Sequence, residues 1–243
     1  TLLALMGALG RLGREEQADR VLEEYVAKDP TDAAAAWMLA KVWNSRGRLA
    51  EAESLLERTL ETNKSDDRLR ALLADVYRQQ GKLEEGVNLL EAAIAEEAEP
   101  GKYRALAALY SLEGNNEKAE EVFREGIEAF PDYLPNYVDL ADLISSTEDF
   151  SAGLDILKTG IAVNQDDERF YEALASFYIR LGRRRDAERF VEETIGERPL
   201  FAGLACTLGD LRYVSGKTDE ALAAYEHALK YASAEVRPRA SNA

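Results

Sequence analysis

Two pairs of adjacent aspartates, Asp66–Asp67 and Asp166–Asp167, are the residues whose type and spacing most invite a chemical reading. Neighbouring carboxylates can share a proton in acid–base catalysis, or supply oxygens to calcium. Neither pair lies in the glycine-containing loop that a calcium site needs. The chain has one histidine, His227, and one cysteine, Cys206. Those counts exclude an internal disulfide, a cysteine-based zinc site and a histidine-rich metal site, and they leave little for a histidine-dependent triad. No nucleotide loop or nucleophile–base signature is present. The expectation is therefore a chain without enzymatic activity, cofactor or metal. The aspartate pairs, with Asp32 and Asp132, read instead as helix N-caps or first-turn acids, where free N–H groups and the helix dipole favour negative charge. Cys206 reads as a small, semi-buried residue and His227 as a surface residue.

Something must hold these residues in place, and composition says it is a folded body. Of 243 residues, 46% are hydrophobic and 31% charged, a globular balance. There are 46 acids against 30 bases, for a net charge of −16. A chain so acidic is poorly suited to nucleic acid, where neutralised phosphates supply the affinity. The opening "TLLALMGALG" resembles the apolar part of a signal peptide, but it lacks a basic lead and is too short to span a bilayer. It fits better as a helix of a trimmed repeat, so the chain is expected to be a fragment of something longer. No direct membrane insertion is expected in this segment. The compartment stays open between cytoplasm and bacterial periplasm.

The elements repeat. Gly13, Gly47, Gly81, Gly114, Gly182 and Gly216 follow one another at steps of 34, 34, 33, 68 and 34 residues. The 68 is twice 34, and the missing glycine falls at Glu148. Before the turns stand "LAKVW", "LADVY", "LAALY", "LADLI" and "LASFY", ending at Trp43, Tyr77, Tyr110, Ile144 and Tyr178. After them come the small residues Ala52, Gly86, Ala119, Gly153, Ala187 and Ala221, then Leu56, Leu90, Phe123, Leu157, Val191 and Tyr225. Spacings of three and four mark amphipathic helices, and no segment sustains a two-residue alternation. The fold class is all-α.

These residues resemble the tetratricopeptide repeat, a 34-residue helix–turn–helix unit. Pro30, Pro131 and Pro199 stand at its closing position, and Tyr171, Leu174, Ala175, Tyr178, Gly182, Ala187 and Pro199 give one of the fullest matches. The resemblance implies an α-solenoid, a right-handed superhelix with a concave groove. It divides the chain into seven units: 1–32, 33–66, 67–99, 100–133, 134–167, 168–201 and 202–235, with 236–243 as a tail. First helices would line the groove, and second helices, rich in glutamate, the solvated outer face. Groove positions carried over residue by residue are Trp37, Lys41, Asn44, Arg68, Asp75, Arg78, Arg104, Asp139, Asp142, Arg169 and Glu172. Lys41, Arg68, Arg78 and Arg104 would form a basic patch, and Asp139, Asp142 and Glu172 reverse its sign, a pattern able to orient a partner. Trp37 stands one place after a core position; it would either be an exposed anchor or pack against the trimmed first unit. The family's carboxylate clamp is not expected, because Lys41 and Leu72 occupy its asparagine places.

The segment "ISSTEDFSAGLDILKTG", 144–160, is the most altered unit. Gly153 and Gly160 fall at small-residue places of a second helix, where glycine costs about 1 kcal/mol relative to alanine. The expectation is a weak unit, a hinge at 149–163, stabilised by Gly153→Ala with Gly160→Ala.

The function implied is a non-catalytic scaffold that binds a peptide, helix or partner domain in the groove. The Arg-rich basic complement, 21 Arg against 9 Lys, together with the resemblance, suggests a bacterial assembly, with the cell envelope as one setting. The alternative is the substrate-recruiting arm of a larger enzyme such as a glycosyltransferase. A third reading is self-association through terminal repeats, since neither end shows a polar capping helix.

Overall fold

The computed structural model describes residue 8, residues 11–146 and residues 150–235. These form thirteen α-helices and no strand. The expected helix at 1–10, the altered turn at Glu148 and the tail at 236–243 lie outside the described residues. The chain divides into two compact units, one up to Gly126 and one from Ile127.

In the first unit, α1 (Glu15–Lys28), α2 (Ala33–Ser45), α3 (Leu49–Thr62), α4 (Asp67–Gln79), α5 (Leu83–Glu96) and α6 (Pro100–Leu112) pack in chain order, and α7 (Asn116–Ala129) runs to its end. The first helices α2, α4 and α6 also touch in succession. In the second unit, α8 (Leu134–Ser145), α9 (Phe150–Val163), α10 (Glu168–Arg180), α11 (Arg184–Glu197), α12 (Ala202–Val214) and α13 (Thr218–Glu235) repeat the arrangement, with α8, α10 and α12 in succession.

The turns follow from the glycines. Each of the six periodic glycines has a positive φ, between 65° and 78°, a conformation that costs other residues energy. It sends the next amide back to the preceding helix: Lys82 N–H donates to Tyr77 O at 2.8 Å, and Arg183 N–H to Tyr178 O at 2.9 Å. A single hairpin cannot bury its apolar stripe, so stacking does it. The small residues Ala52, Ala119 and Ala187 are 0% exposed, as are Leu56 and Val191.

Gly153 and Gly160 overturn the expectation of a weakened helix. Both are buried in α9. A Cβ at Gly153 would stand 2.9 Å from the Ala141 carbonyl oxygen and 2.9 Å from the Phe177 ring. At Gly160 it would stand 2.8 Å from the Phe170 ring and 3.1 Å from Tyr137. The glycines let α9 approach α8 and α10 closely, so alanine there collides with its neighbours and does not stabilise. The boundary between the compact units also falls elsewhere, at Gly126/Ile127.

Three of the six aspartates expected at helix starts cap with their side chains. Asp32 accepts from the Ala34 and Ala35 amides, each at 3.0 Å, Asp66 from Arg68 and Leu69 at 3.0 and 3.3 Å, and Asp167 from Arg169 at 3.0 Å. Asp67 is a first-turn acid of α4. Asp132 is not a cap, because α8 begins one residue later, with Tyr133 as its N-cap. Asp166 instead meets Arg198 at 2.9 Å.

Candidate partner-binding faces

The side chains that could meet a partner stand on the first helices, which present their outer turns once Leu39, Ala40, Leu73, Ala74, Leu106 and Ala107 have turned inward. In the first unit much of this polar surface is already spent on joining helices. Asn44 Nδ2 on α2 donates to Asp75 Oδ2 on α4 at 2.9 Å. Asp75 also accepts from Arg78 at 3.0 Å and from Gln79 at 2.8 Å. Arg78 reaches on to Glu113, just past α6, at 3.5 Å. Asn44, Asp75, Arg78 and Glu113 thus make a polar ribbon across three successive first helices. Arg68 is exposed, but its guanidinium lies on Asp66 at 2.8 Å, beside the cap of its own helix. That guanidinium, with the Leu69 and Arg68 amides, holds the Asp66 carboxyl below its usual range. Arg104 is exposed on α6 and has an interaction of its own. The four expected basic groups therefore do not form a bare cationic patch: at least two are neutralised where they stand.

Trp37 and Lys41 differ. Trp37 is half-buried rather than fully exposed, because its ring also packs on the core around Leu39 and Leu69. Lys41 is exposed one turn along α2, with its ammonium 4.8 Å from the centre of the Trp37 ring. It makes no ion pair among the described residues.

In the second unit Asp142 on α8 meets Arg180 on α10 at 2.6 Å, another tie between first helices. Asp139 is half-buried on α8 and is engaged. The Arg169 guanidinium lies on Asp167 at 2.5 Å, as that of Arg68 lies on Asp66. Glu172 is half-buried, and its carboxyl is pushed up by burial and by the charges of Glu168 and Asp167. Glu168 Oε1 accepts from the Leu204 amide at 2.7 Å, across to α12. Cys206 is exposed, not semi-buried, because it points away from the α12 face that buries Leu204, Ala205 and Leu208. Loss of some of its hydration to neighbouring atoms and the charges of Asp210, Glu168 and Glu172 raise its thiol, so thiolate chemistry is disfavoured. His227 is half-buried, its Nε2 2.8 Å from Pro199 O.

Sequence reasoning missed the loop stitches. Asn63 Nδ2 reaches Thr31 O at 3.2 Å, and Asn164 Nδ2 reaches Pro131 O at 2.8 Å, each spanning one repeat. The asparagines directly after α3 and α9 were the available signal. Among the described residues no group of His, Cys, Asp and Glu is placed to hold a metal ion, and no helix is long and apolar enough to cross a membrane.

The hairpin register, the left-handed turn glycines and the stacked first helices define a helical-repeat protein. The tetratricopeptide repeat family matches residues 5–67, 44–110 and 111–177, and the chain belongs to it. Members of that family generally serve as protein–protein interaction scaffolds. Solved structures similar to this chain include a tetratricopeptide repeat protein from Parabacteroides merdae, at 19% identity over 95% of this chain and 91% of the other, with a TM-score of 0.47. A thermophilic member from Thermus thermophilus is 20% identical over 72% of this chain and 96% of its own, with a TM-score of 0.42. MamA from Desulfovibrio magneticus is 14% identical over 70% and 97%, with a TM-score of 0.40. Similarities at this level carry no functional argument. No curated protein matches the chain.

Proposed function

We propose that the chain is a non-catalytic scaffold that receives a peptide or helix of a partner protein on its first-helix faces, as part of a bacterial assembly. The observation that carries this reading is the Trp37–Lys41 pair. In a protein with 46 acids, an exposed lysine without a carboxylate partner, stacked over a half-buried tryptophan, is a cation left for something else. An aromatic with a polar neighbour is the usual composition of a binding hot spot. Glu172, beside the acids Glu168 and Asp167, stands in a region of the opposite sign on the other unit's first helices. A partner with an acidic or carboxylate-bearing segment fits Lys41, and a basic segment fits Glu172. The bacterial setting rests on the arginine-rich composition and the family resemblance.

The test is capture of the same partner by wild type, by Trp37→Ala with Lys41→Glu, and by Glu84→Lys as an outer-face control. We expect the Trp37/Lys41 variant to lose at least about tenfold in affinity, the size of one hot spot, with its thermal melt close to wild type. Undiminished capture by that variant refutes the reading.

A further inference from the structure

A cleft of about 340 Å³ opens on the second-helix side of the first unit, away from the residues just discussed. Its floor is Leu106 of α6, with Ile94 of α5 and Val122 of α7 beside it. Tyr103 and Tyr110 of α6 form aromatic walls, and Glu91, Glu121 and Glu125 stand on the rim with Lys118.

One repeat earlier the corresponding tyrosine and the cation on its ring are both tied to carboxylates. Tyr77 occupies the position of Tyr110, and its hydroxyl donates to Glu57 Oε1 at 2.8 Å. Lys82, just after the turn, lies 5.6 Å from the centre of the Tyr77 ring and is fastened to Glu53 at 2.6 Å. Arg48 lies over Trp43 at 4.6 Å and Arg183 over Tyr178 at 5.2 Å in the same register. In each case the residue after the turn glycine lays its own cation on the aromatic residue five positions back. After Gly114 that residue is Asn115, which cannot. Tyr110 makes no hydrogen bond to Glu91, the counterpart of Glu57, and Lys118 covers its ring from further along α7, at 5.6 Å, without a carboxylate partner. Three exposed carboxylates thus face one ammonium around a tyrosine-walled slot.

We propose that this cleft takes an arginine or lysine side chain from a basic segment of another protein. Tyr110 already holds the Lys118 ammonium over its ring at 5.6 Å, a place the incoming cation would take over; the floor suits an aliphatic stem, and the net negative rim selects the sign. The volume is at the small end for ligand sites, right for one long side chain and not for a folded element.

The experiment uses a fluorescein-labelled peptide of six arginines and the whole chain, read by fluorescence anisotropy at 0.15 M salt. Glu121→Gln with Glu125→Gln removes two rim charges, and Glu84→Gln with Glu85→Gln removes two exposed charges at the start of α5. Ala95→Trp fills the slot from an exposed position, so folding is not at stake. We expect the rim pair and Ala95→Trp each to weaken binding at least about fivefold, and the control pair less than about twofold. Equal weakening by the two glutamate pairs would mean general attraction to an acidic surface and would overturn the proposal. So would unaltered binding by Ala95→Trp, or no binding by wild type. Saturation by arginine amide at the same concentration would reassign the slot to a small free cation and also overturn it.

Discussion

Single carboxylates in this protein are tuned by what caps and surrounds them. Asp66 is the clearest case. Its oxygens accept two amides of α4 and the Arg68 guanidinium, so its pKa in the fold lies below the unfolded value. A lowered carboxylate stabilises the fold above its unfolded pKa, about 3.9, and that contribution is lost as pH falls through the folded pKa. Asparagine keeps an acceptor for the cap but cannot ionise. Asp66→Asn is therefore expected to be less stable than wild type at pH 7 by up to about 1 kcal/mol and to lose less between pH 5 and about 2. Urea unfolding at both ends of that range reads the difference, and parallel loss in the two proteins would refute it.

At the scale of the helix, a residue's intrinsic propensity yields to what the helix packs against. Gly153 and Gly160 stand in α9 against a backbone carbonyl and three aromatic rings. Gly196, in the last turn of α11, has no neighbour within 4 Å of an added Cβ. The same substitution should then have opposite signs. Gly153→Ala and Gly160→Ala should each destabilise, since overpacking costs roughly 1–3 kcal/mol and exceeds the helix gain. Gly196→Ala should stabilise by up to about 1 kcal/mol. Thermal unfolding of the three variants decides it, and a higher melting temperature for Gly160→Ala would restore the picture of a weak helix. The polar ribbon from Asn44 to Glu113 belongs to the same scale, because it fixes neighbouring first helices at the expense of groups a partner could have used.

For the molecule as a whole, the dominant fact is the charge. A net −16 repels itself, and the repulsion acts over the Debye length, about 30 Å at 0.01 M salt and 10 Å at 0.1 M. The opposing ion pairs are mostly exposed, each worth about 0–1 kcal/mol. Screening should remove more repulsion than attraction, so the melting temperature is expected to rise by a few degrees between 0.01 and 0.3 M sodium chloride. A fall would mean that ion pairs from a turn to an earlier helix, such as Lys82–Glu53 at 2.6 Å and Lys217–Glu188 at 2.8 Å, outweigh the long-range term.

The sequence by itself determined the helical class, the hairpin period and the turn conformation. Those depend on local spacing and on the left-handed preference of glycine, both written along the chain. It also placed Asp32, Asp66 and Asp167 as caps, because a cap is a contact with the next two or three residues. It could not say that Gly153 and Gly160 admit close neighbours, that Arg68 and Arg78 are already paired, or that Asn115 leaves Tyr110 beside an open cleft. Each of those rests on atoms brought together from different helices. Only the tertiary structure decided them, because only stacking sets which side chain meets which, and at what distance.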